Sequence, residues 1–233
     1  MKTMKFYLAA CLLAMTTAAS AQFANSNASS SKSTNSSSAN TDGWQRVFVS
    51  YNPSKIVYDV KDADDLSVTG FSFGYTKGFS ISNSIPLFVE TGINGLYGFH
   101  KDEEGDDEES YEVKSTLFSL NIPVNLAYKF SIPNSNITIV PFLGINLKGN
   151  IIGKEKLTYS YDGESEEEEY NFFDKDDMGS DDATWKRFQI GWQIGVGANF
   201  NQLYVGLSYG KDITELCKKT KIATTSITLG YNF

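Results

Sequence analysis

From Phe188 to Phe200 the chain alternates without a break. Phe188, Ile190, Trp192, Ile194, Val196, Ala198 and Phe200 take one parity, and Gln189, Gly191, Gln193, Gly195, Gly197 and Asn199 take the other. A period of two puts successive side chains on opposite faces of a β-strand, so this segment has two chemically distinct faces. A one-residue slip would invert both faces, which makes the register part of the pattern. Phe118, Leu120, Ile122, Val124, Leu126, Tyr128 and Phe130 repeat the design, as do Ile227, Leu229, Tyr231 and Phe233 at the end of the chain.

The kind of polar residue restricts the fold further. A soluble ligand-binding barrel also alternates, but turns its polar face to water, where Lys, Glu, Asp and Arg are expected. Residues 115–128, 130–147 and 188–210 contain no charged residue; their polar face is Gly, Ser, Thr, Asn and Gln. Small neutral groups suit a narrow lumen, and the opposite face offers lipid a continuous apolar band. Tyr75, Phe79, Phe99, Tyr128, Phe130, Phe200, Tyr209 and Phe233 fall near strand ends, the girdle positions where rings meet headgroups.

Eight such segments are expected, near 44–51, 66–79, 85–100, 111–130, 136–152, 185–200, 202–211 and 221–233. The connections alternate in length. Ser80 to Ser84, Ser131 to Ser135 and the turn at Asn199-Phe200-Asn201 are short, whereas Asn52 to Asp65, Lys101 to Glu109, Gly153 to Thr184 and Asp212 to Thr220 are long. Of 28 acidic residues, 4 fall in the first long connection, 8 between Asp102 and Glu112, and 12 between Glu155 and Asp182. A Lys or Arg on the lipid face costs about 2–4 kcal/mol at the midplane, so charge is expected outside the bilayer. The expected fold is a single eight-stranded antiparallel transmembrane β-barrel with short periplasmic turns, long acidic extracellular loops and both termini in the periplasm.

Residues 1–21 read as a signal peptide: Lys2 and Lys5, an apolar stretch from Phe6 to Met15, and the small-x-small site Ala19-Ser20-Ala21. Leu8-Ala9-Ala10-Cys11 has the form of a lipid-attachment box, but only five apolar residues precede Cys11 after the basic start. Residues 22–43, rich in Ser and Asn, read as a disordered periplasmic tether, and 44–233 as the barrel. After the leader no run of about 18 apolar residues remains, so spanning is left to strands. The net charge of −8 excludes the basic stripe of a nucleic-acid binder.

The chain closes on Leu229-Gly230-Tyr231-Asn232-Phe233, which resembles the C-terminal signature read by barrel-assembly machinery, with Leu229, Tyr231 and Phe233 as its apolar members. Pro86-Leu87-Phe88-Val89-Glu90-Thr91-Gly92, Ile122-Pro123-Val124-Asn125-Leu126, Pro141-Phe142-Leu143-Gly144 and Gly195-Val196-Gly197 extend the likeness over 44–233. Together they resemble the PorT-like outer-membrane β-barrel family, among small barrels of the OmpA/OmpX type. That resemblance implies an outer-membrane barrel and carries no functional residue across. Some relatives serve in secretion or adhesion.

On strand parity Arg46, Glu90, Lys129, Lys148 and Arg187 point inward. Charges in so narrow a lumen must be paired, and Glu90 is expected to pair with Arg46 or Lys129, as a stabilising plug rather than a gate. Glu166, Glu167, Asp174, Asp176 and Asp177 are weak candidates for divalent cations; Asp174-x-Asp176-x-Met178-Gly179 breaks the calcium-loop pattern at its third ligand. A solvated acidic loop, loosely bridged by ions to lipopolysaccharide, is the plainer expectation. His100 is the single histidine, with no recognisable Ser or Asp spacing beside it, so catalysis is not expected. Cys217 lies among Lys218, Lys219 and Lys221, which favours thiolate; an incidental thiol is the simpler reading.

No cofactor or metal is expected. The reading is a non-enzymatic, monomeric outer-membrane barrel presenting acidic surface loops for structural, adhesive or interaction purposes. Its expected partners are outer-membrane lipid and lipopolysaccharide, with the barrel-assembly machinery during insertion. The alternatives are an accessory component of a secretion or envelope complex and a soluble periplasmic lipocalin-like barrel.

Overall fold

The computed structural model describes residues 41–59, 65–105, 109–162 and 164–233. The leader and nearly all of the Ser/Asn-rich tether expected from the sequence lie outside the described residues. In chain order the elements are β1 (Trp44–Tyr51), β2 (Ser54–Tyr58), β3 (Leu66–Ser80), β4 (Leu87–Gly105), β5 (Glu109–Tyr128) and β6 (Phe130–Ser131). After these come β7 (Ile137–Tyr161), β8 (Glu164–Asn171), the single-turn helix α1 (Lys175–Met178), β9 (Phe188–Phe200), β10 (Leu203–Asp212) and β11 (Thr220–Asn232).

These strands close into an eight-membered antiparallel ring. β2 continues the line of β1 after a break at Asn52-Pro53, and both pieces pair with β3 on one side and β11 on the other. Pro53 has no N–H to give a neighbour, which is why the ladder pauses there. β6 continues β5 in the same way against β7. The ring therefore runs β1/β2, β3, β4, β5/β6, β7, β9, β10, β11 and back to β1/β2. Closure removes the free edges that an open sheet would present.

The ring is inside out relative to a soluble barrel. Phe73 and Leu143, on the outer face, are 67 % and 59 % exposed, while inward-facing Gln189 has no exposed surface. Ser50, Ser72, Thr76, Asn121 and Asn125 are buried inside. A water-soluble lipocalin-like barrel needs the reverse arrangement, so that alternative is set aside.

One end of the ring carries the tight connections 81–86, 132–136 and 201–202, together with Gly43 and Phe233. Asn201 takes φ 53°, the left-handed conformation that Asn tolerates at low cost, and this lets β9 reverse into β10 almost at once. The opposite end carries most of the acidic residues, and there the strands are longer than the alternation implied. β2 forms inside the expected connection Asn52 to Asp65, β4 and β5 run on to Gly105 and back from Glu109, and β7 continues to Tyr161 before returning as β8. Beyond the ring, β4, β5, β7 and β8 thus make a four-stranded sheet where loops were expected.

The physical reason is cross-strand compensation. Charge density read along one strand signals a loop, but once the strands lie side by side Lys101 meets Glu112, Lys154 meets Glu169 and Lys156 meets Glu167 across them, while Lys101–Glu103 and Lys114–Glu112 pair along a strand. Tyr111, Val113, Leu157, Tyr159 and Tyr161 supply the β-favouring residues between them. A register shift at Phe118/Ser119 marks where this sheet leaves the barrel, with Ile151 as the extra residue on β7.

Candidate functional site

The lumen is filled in layers from the turn end. First comes an apolar plug in which Trp44, Phe88, Ala127 and Val140 are buried together, with the Trp44 and Phe88 rings 4.8 Å apart. Above it lies the first ion pair. Arg46 Nη1 is 3.1 Å from Glu90 Oε2, and the same carboxylate accepts from Trp44 Nε1 at 2.8 Å and from Asn125 Nδ2 at 3.2 Å. The Arg46 guanidinium also sits 3.4 Å from the centre of the Tyr204 ring. Gly197 and Gly206 make room for that ring: a Cβ on either would fall 2.1 Å and 2.6 Å from Tyr204 atoms.

Next is a polar cavity of about 140 Å³, bounded by Arg46 and Glu90 on one side and Lys148 and Asp212 on the other. Arg46 Nη2, Asn52 Oδ1, Thr76 Oγ1 and Asn146 Oδ1 are buried without a partner among the described residues, and all four residues line it. At a water's share of about 30 Å³, a space of that size has room for about five waters, enough to satisfy those atoms. Beyond it lies the second ion pair: Lys148 Nζ donates to both Asp212 oxygens at 3.0 and 3.1 Å, and Gln189 Nε2 donates to Asp212 Oδ2 at 2.9 Å.

The mouth at the end away from the tight turns is then closed by apolar packing. A pocket of about 40 Å³ is lined by Ile56, Val68, Leu117, Ile222 and Trp185. Over it Phe172 stacks on Trp185 at 4.2 Å, and Leu216 from the last connection is fully buried. Trp185 N donates to Phe172 O, and Lys186 N to Leu216 O, which ties the two connections together. Both ends of the lumen are therefore shut by aromatic side chains.

Of the five charges expected inside, Arg46, Glu90 and Lys148 occupy these layers. Lys129 lies at the turn end, its Nζ bonded to Asp42 O and 5.1 and 4.9 Å from the Trp44 and Phe88 rings; Glu90 pairs with Arg46 instead. Arg187 departs from expectation. It lies before β9 begins, is exposed, and stacks its guanidinium 4.2 Å from the Phe173 ring. The parity rule fails there because residue 187 is not yet in a strand. Asp212 and Gln189 join this set although the sequence does not single them out: both have inward parity, and Asp212 falls where a connection is expected to begin.

The cation candidates are scattered. Glu166 and Glu167 fall on opposite faces of β8, and Glu167 pairs with Lys156. Asp174 caps α1 by accepting from Asp176 N, while Asp177 accepts from Asn171 N. Among the described residues no three His, Cys, Asp or Glu side chains converge as a metal site.

Register brings together a set that spacing along the chain concealed: His100, Ser115 and Glu155 stand side by side on β4, β5 and β7. Ser115 Oγ donates to Glu155 Oε2 at 3.0 Å, whereas His100 Nδ1 is 2.8 Å from Ser67 O. The Ser115 hydroxyl thus has its proton directed at Glu155, and the His100 contact is with a backbone carbonyl. Cys217 is half-buried in the last connection and is a free thiol. Leu229, Tyr231 and Phe233 are on the outer face, and Phe233 lies 6.4 Å from the Tyr75 ring.

Among solved structures the chain is similar to Ail, the attachment invasion locus protein of Yersinia pestis, at 16 % identity and a TM-score of 0.40, covering 82 % of this chain and 99 % of that one. It is also similar to Neisserial surface protein A, at 14 % and 0.38, covering 81 % and 97 %. A third is the outer membrane enzyme PagL, at 14 % and 0.39, covering 79 % and 98 %. No curated protein matches the chain. The family model described as the outer membrane protein beta-barrel domain matches residues 8–233. This chain belongs to the outer-membrane β-barrel domain family.

Proposed function

We propose that the barrel is a non-enzymatic anchor that holds its acidic four-stranded sheet at the cell surface for contact with external partners. The observation that carries this reading is the pairing of a lumen closed at both ends with a charged sheet that continues β4, β5 and β7 past the lipid-facing band. A plugged barrel has no path for solutes, and strands carried beyond the bilayer expose surface that packing does not need.

The short turns and both ends of the barrel domain lie at one end, which supports a periplasmic assignment for that end and an external one for the sheet. Residues 1–21 serve as the export signal on this reading, and Leu229, Tyr231 and Phe233 as the segment met by assembly machinery. The PorT-like likeness of the strand motifs is its finer family placement. Lipopolysaccharide around the outer rim is the expected lipid neighbour, and a monomer the expected state. The Ser115 hydroxyl, opposite His100 in register, donates to Glu155 Oε2, which supports the non-enzymatic assignment.

The test places an epitope tag either in the turn after Asp162 or at Ser82. Antibody should reach the first on intact cells and the second only after the outer membrane is opened. The reverse pattern overturns the orientation, and equal access on intact cells overturns membrane residence.

A further inference from the structure

The sheet beyond the barrel has two unlike faces. On the outward face the row Lys101, Lys114, Lys156, Glu169 lies beside the row Glu103, Glu112, Thr158, Glu167, with Lys154 adjacent. Four lysines and four glutamates there neutralise one another through the ion pairs already described.

The inward-parity face is built differently. One row reads Glu104, Tyr111, Tyr159, Glu166 across β4, β5, β7 and β8; the next reads Asp102, Val113, Leu157, Glu168. Two apolar strands thus form a track, and the flanking strands supply a carboxylate rail on each side. Tyr161 prolongs the track and, at 60 % exposure, is as open as the lipid-facing residues; Tyr111 and Tyr159 are 42 % and 41 % exposed. No lysine or arginine of these four strands falls on this face. Asp102, Glu104, Glu166 and Glu168 thus meet no lysine or arginine of these strands, where the carboxylates behind are ion-paired; Tyr170 Oη donates to Glu168, Tyr159 Oη donates to Glu109, and the rings keep exposed faces.

From this pattern we propose that the face is a docking track for an extended, lysine- and arginine-rich segment of a partner protein. The inference rests on the surface-contact reading above and names the chemistry of the partner. Cationic side chains lay their aliphatic stems along apolar surface and put the charged head over a ring face or on a carboxylate. A strip of Tyr111, Val113, Leu157 and Tyr159 between rails of Asp102, Glu104, Glu166 and Glu168 offers both contacts within one side-chain length. The rails exclude an acidic partner by like-charge repulsion. The paired face behind stiffens the sheet without competing for the same charge.

The full chain, refolded in detergent micelles, is titrated with a fluorescent ten-residue arginine peptide; a ten-residue glutamate peptide serves as control. Glu104→Gln with Glu166→Gln should weaken arginine-peptide binding about tenfold. Tyr111→Ser with Tyr159→Ser, which keeps every charge, should weaken it about fivefold. Glu103→Gln with Glu167→Gln removes the same charge from the opposite face and should change binding less than twofold. Equal losses from the two glutamate pairs, or no loss from the tyrosine pair, would show general electrostatic attraction and overturn the track. Each variant must keep the compact form in cold detergent, so a folding failure is read separately. The antibody test above decides the surface reading independently of the peptide result.

Discussion

Glu90 accepts hydrogen bonds from Trp44, Arg46 and Asn125 with only 6 % of its surface exposed. A buried charge that loses its partner costs about 3–5 kcal/mol, because the survivor remains desolvated and unpaired. Glu90→Gln should therefore lower the temperature at which the compact cold-detergent form is lost. Replacing both members, as Arg46→Met with Glu90→Leu, should cost less than Glu90→Gln alone. A double variant that is less stable than the single one would mean that the pair contributes a net attraction rather than a mutual requirement. Gel migration across a temperature series reads both. The inward parity of Arg46 and Glu90 was visible in the alternation, but that Trp44 and Asn125 complete the carboxylate's shell was not. Those contacts join residues 46 and 35 positions away along the chain, and only the register of β1, β3, β4 and β5, which sets Trp44, Gly78, Glu90 and Asn125 in one row, brings them together.

At the scale of the element, the sheet formed by β4, β5, β7 and β8 carries its ion pairs at the surface, where the lumen buries its own. Lys101 bridges Glu103 and Glu112 at 2.8 Å each, and Lys114 also pairs with Glu112. Hydrogen bonds from Lys101 and then Lys114 hold the Glu112 carboxyl below its ordinary 4.5. A depressed carboxyl pKa contributes stability that is complete above the unfolded value and is lost as pH falls through the folded one. Acidification below about 4.5 should thus loosen the β4–β5 extension before the barrel. Hydrogen exchange resolved by peptide should show earlier loss of protection at 101–114 than at 118–128. Simultaneous loss would mean that the extension and the barrel open as one unit. The exposed pairs are screened by salt, so high ionic strength should narrow the difference.

For the whole molecule, the layered lumen predicts electrical silence. Ions crossing would have to displace Trp44 and Phe88 at one end, both ion pairs, and the Phe172–Trp185 stack at the other. The full chain inserted into planar bilayers should show no steady conductance at 100 mV or below, about 2.3 kcal/mol per charge, which is less than the cost of breaking a buried pair. A sustained current would overturn the closed-lumen reading and with it the anchor function.

The sequence by itself determined the barrel: its two-faced strands, the neutral lumen, the near-absence of charge where lipid lies, and the gathering of acid at one end. Those properties are periodic along a single strand, so they are legible without knowing which strand lies beside which. Register and closure decided the rest. Only side-by-side alignment could show that Lys101, Lys114, Lys154 and Lys156 share one face opposite the tyrosines, that Asp212 meets Lys148 across the lumen, and that the acidic stretch Glu164–Asn171 is strand β8. A charge read in isolation signals a loop; a charge with its cross-strand partner in place can belong to a sheet. Arg187 shows the converse, since parity assigns a direction only to residues already in a strand, and it lies one position outside.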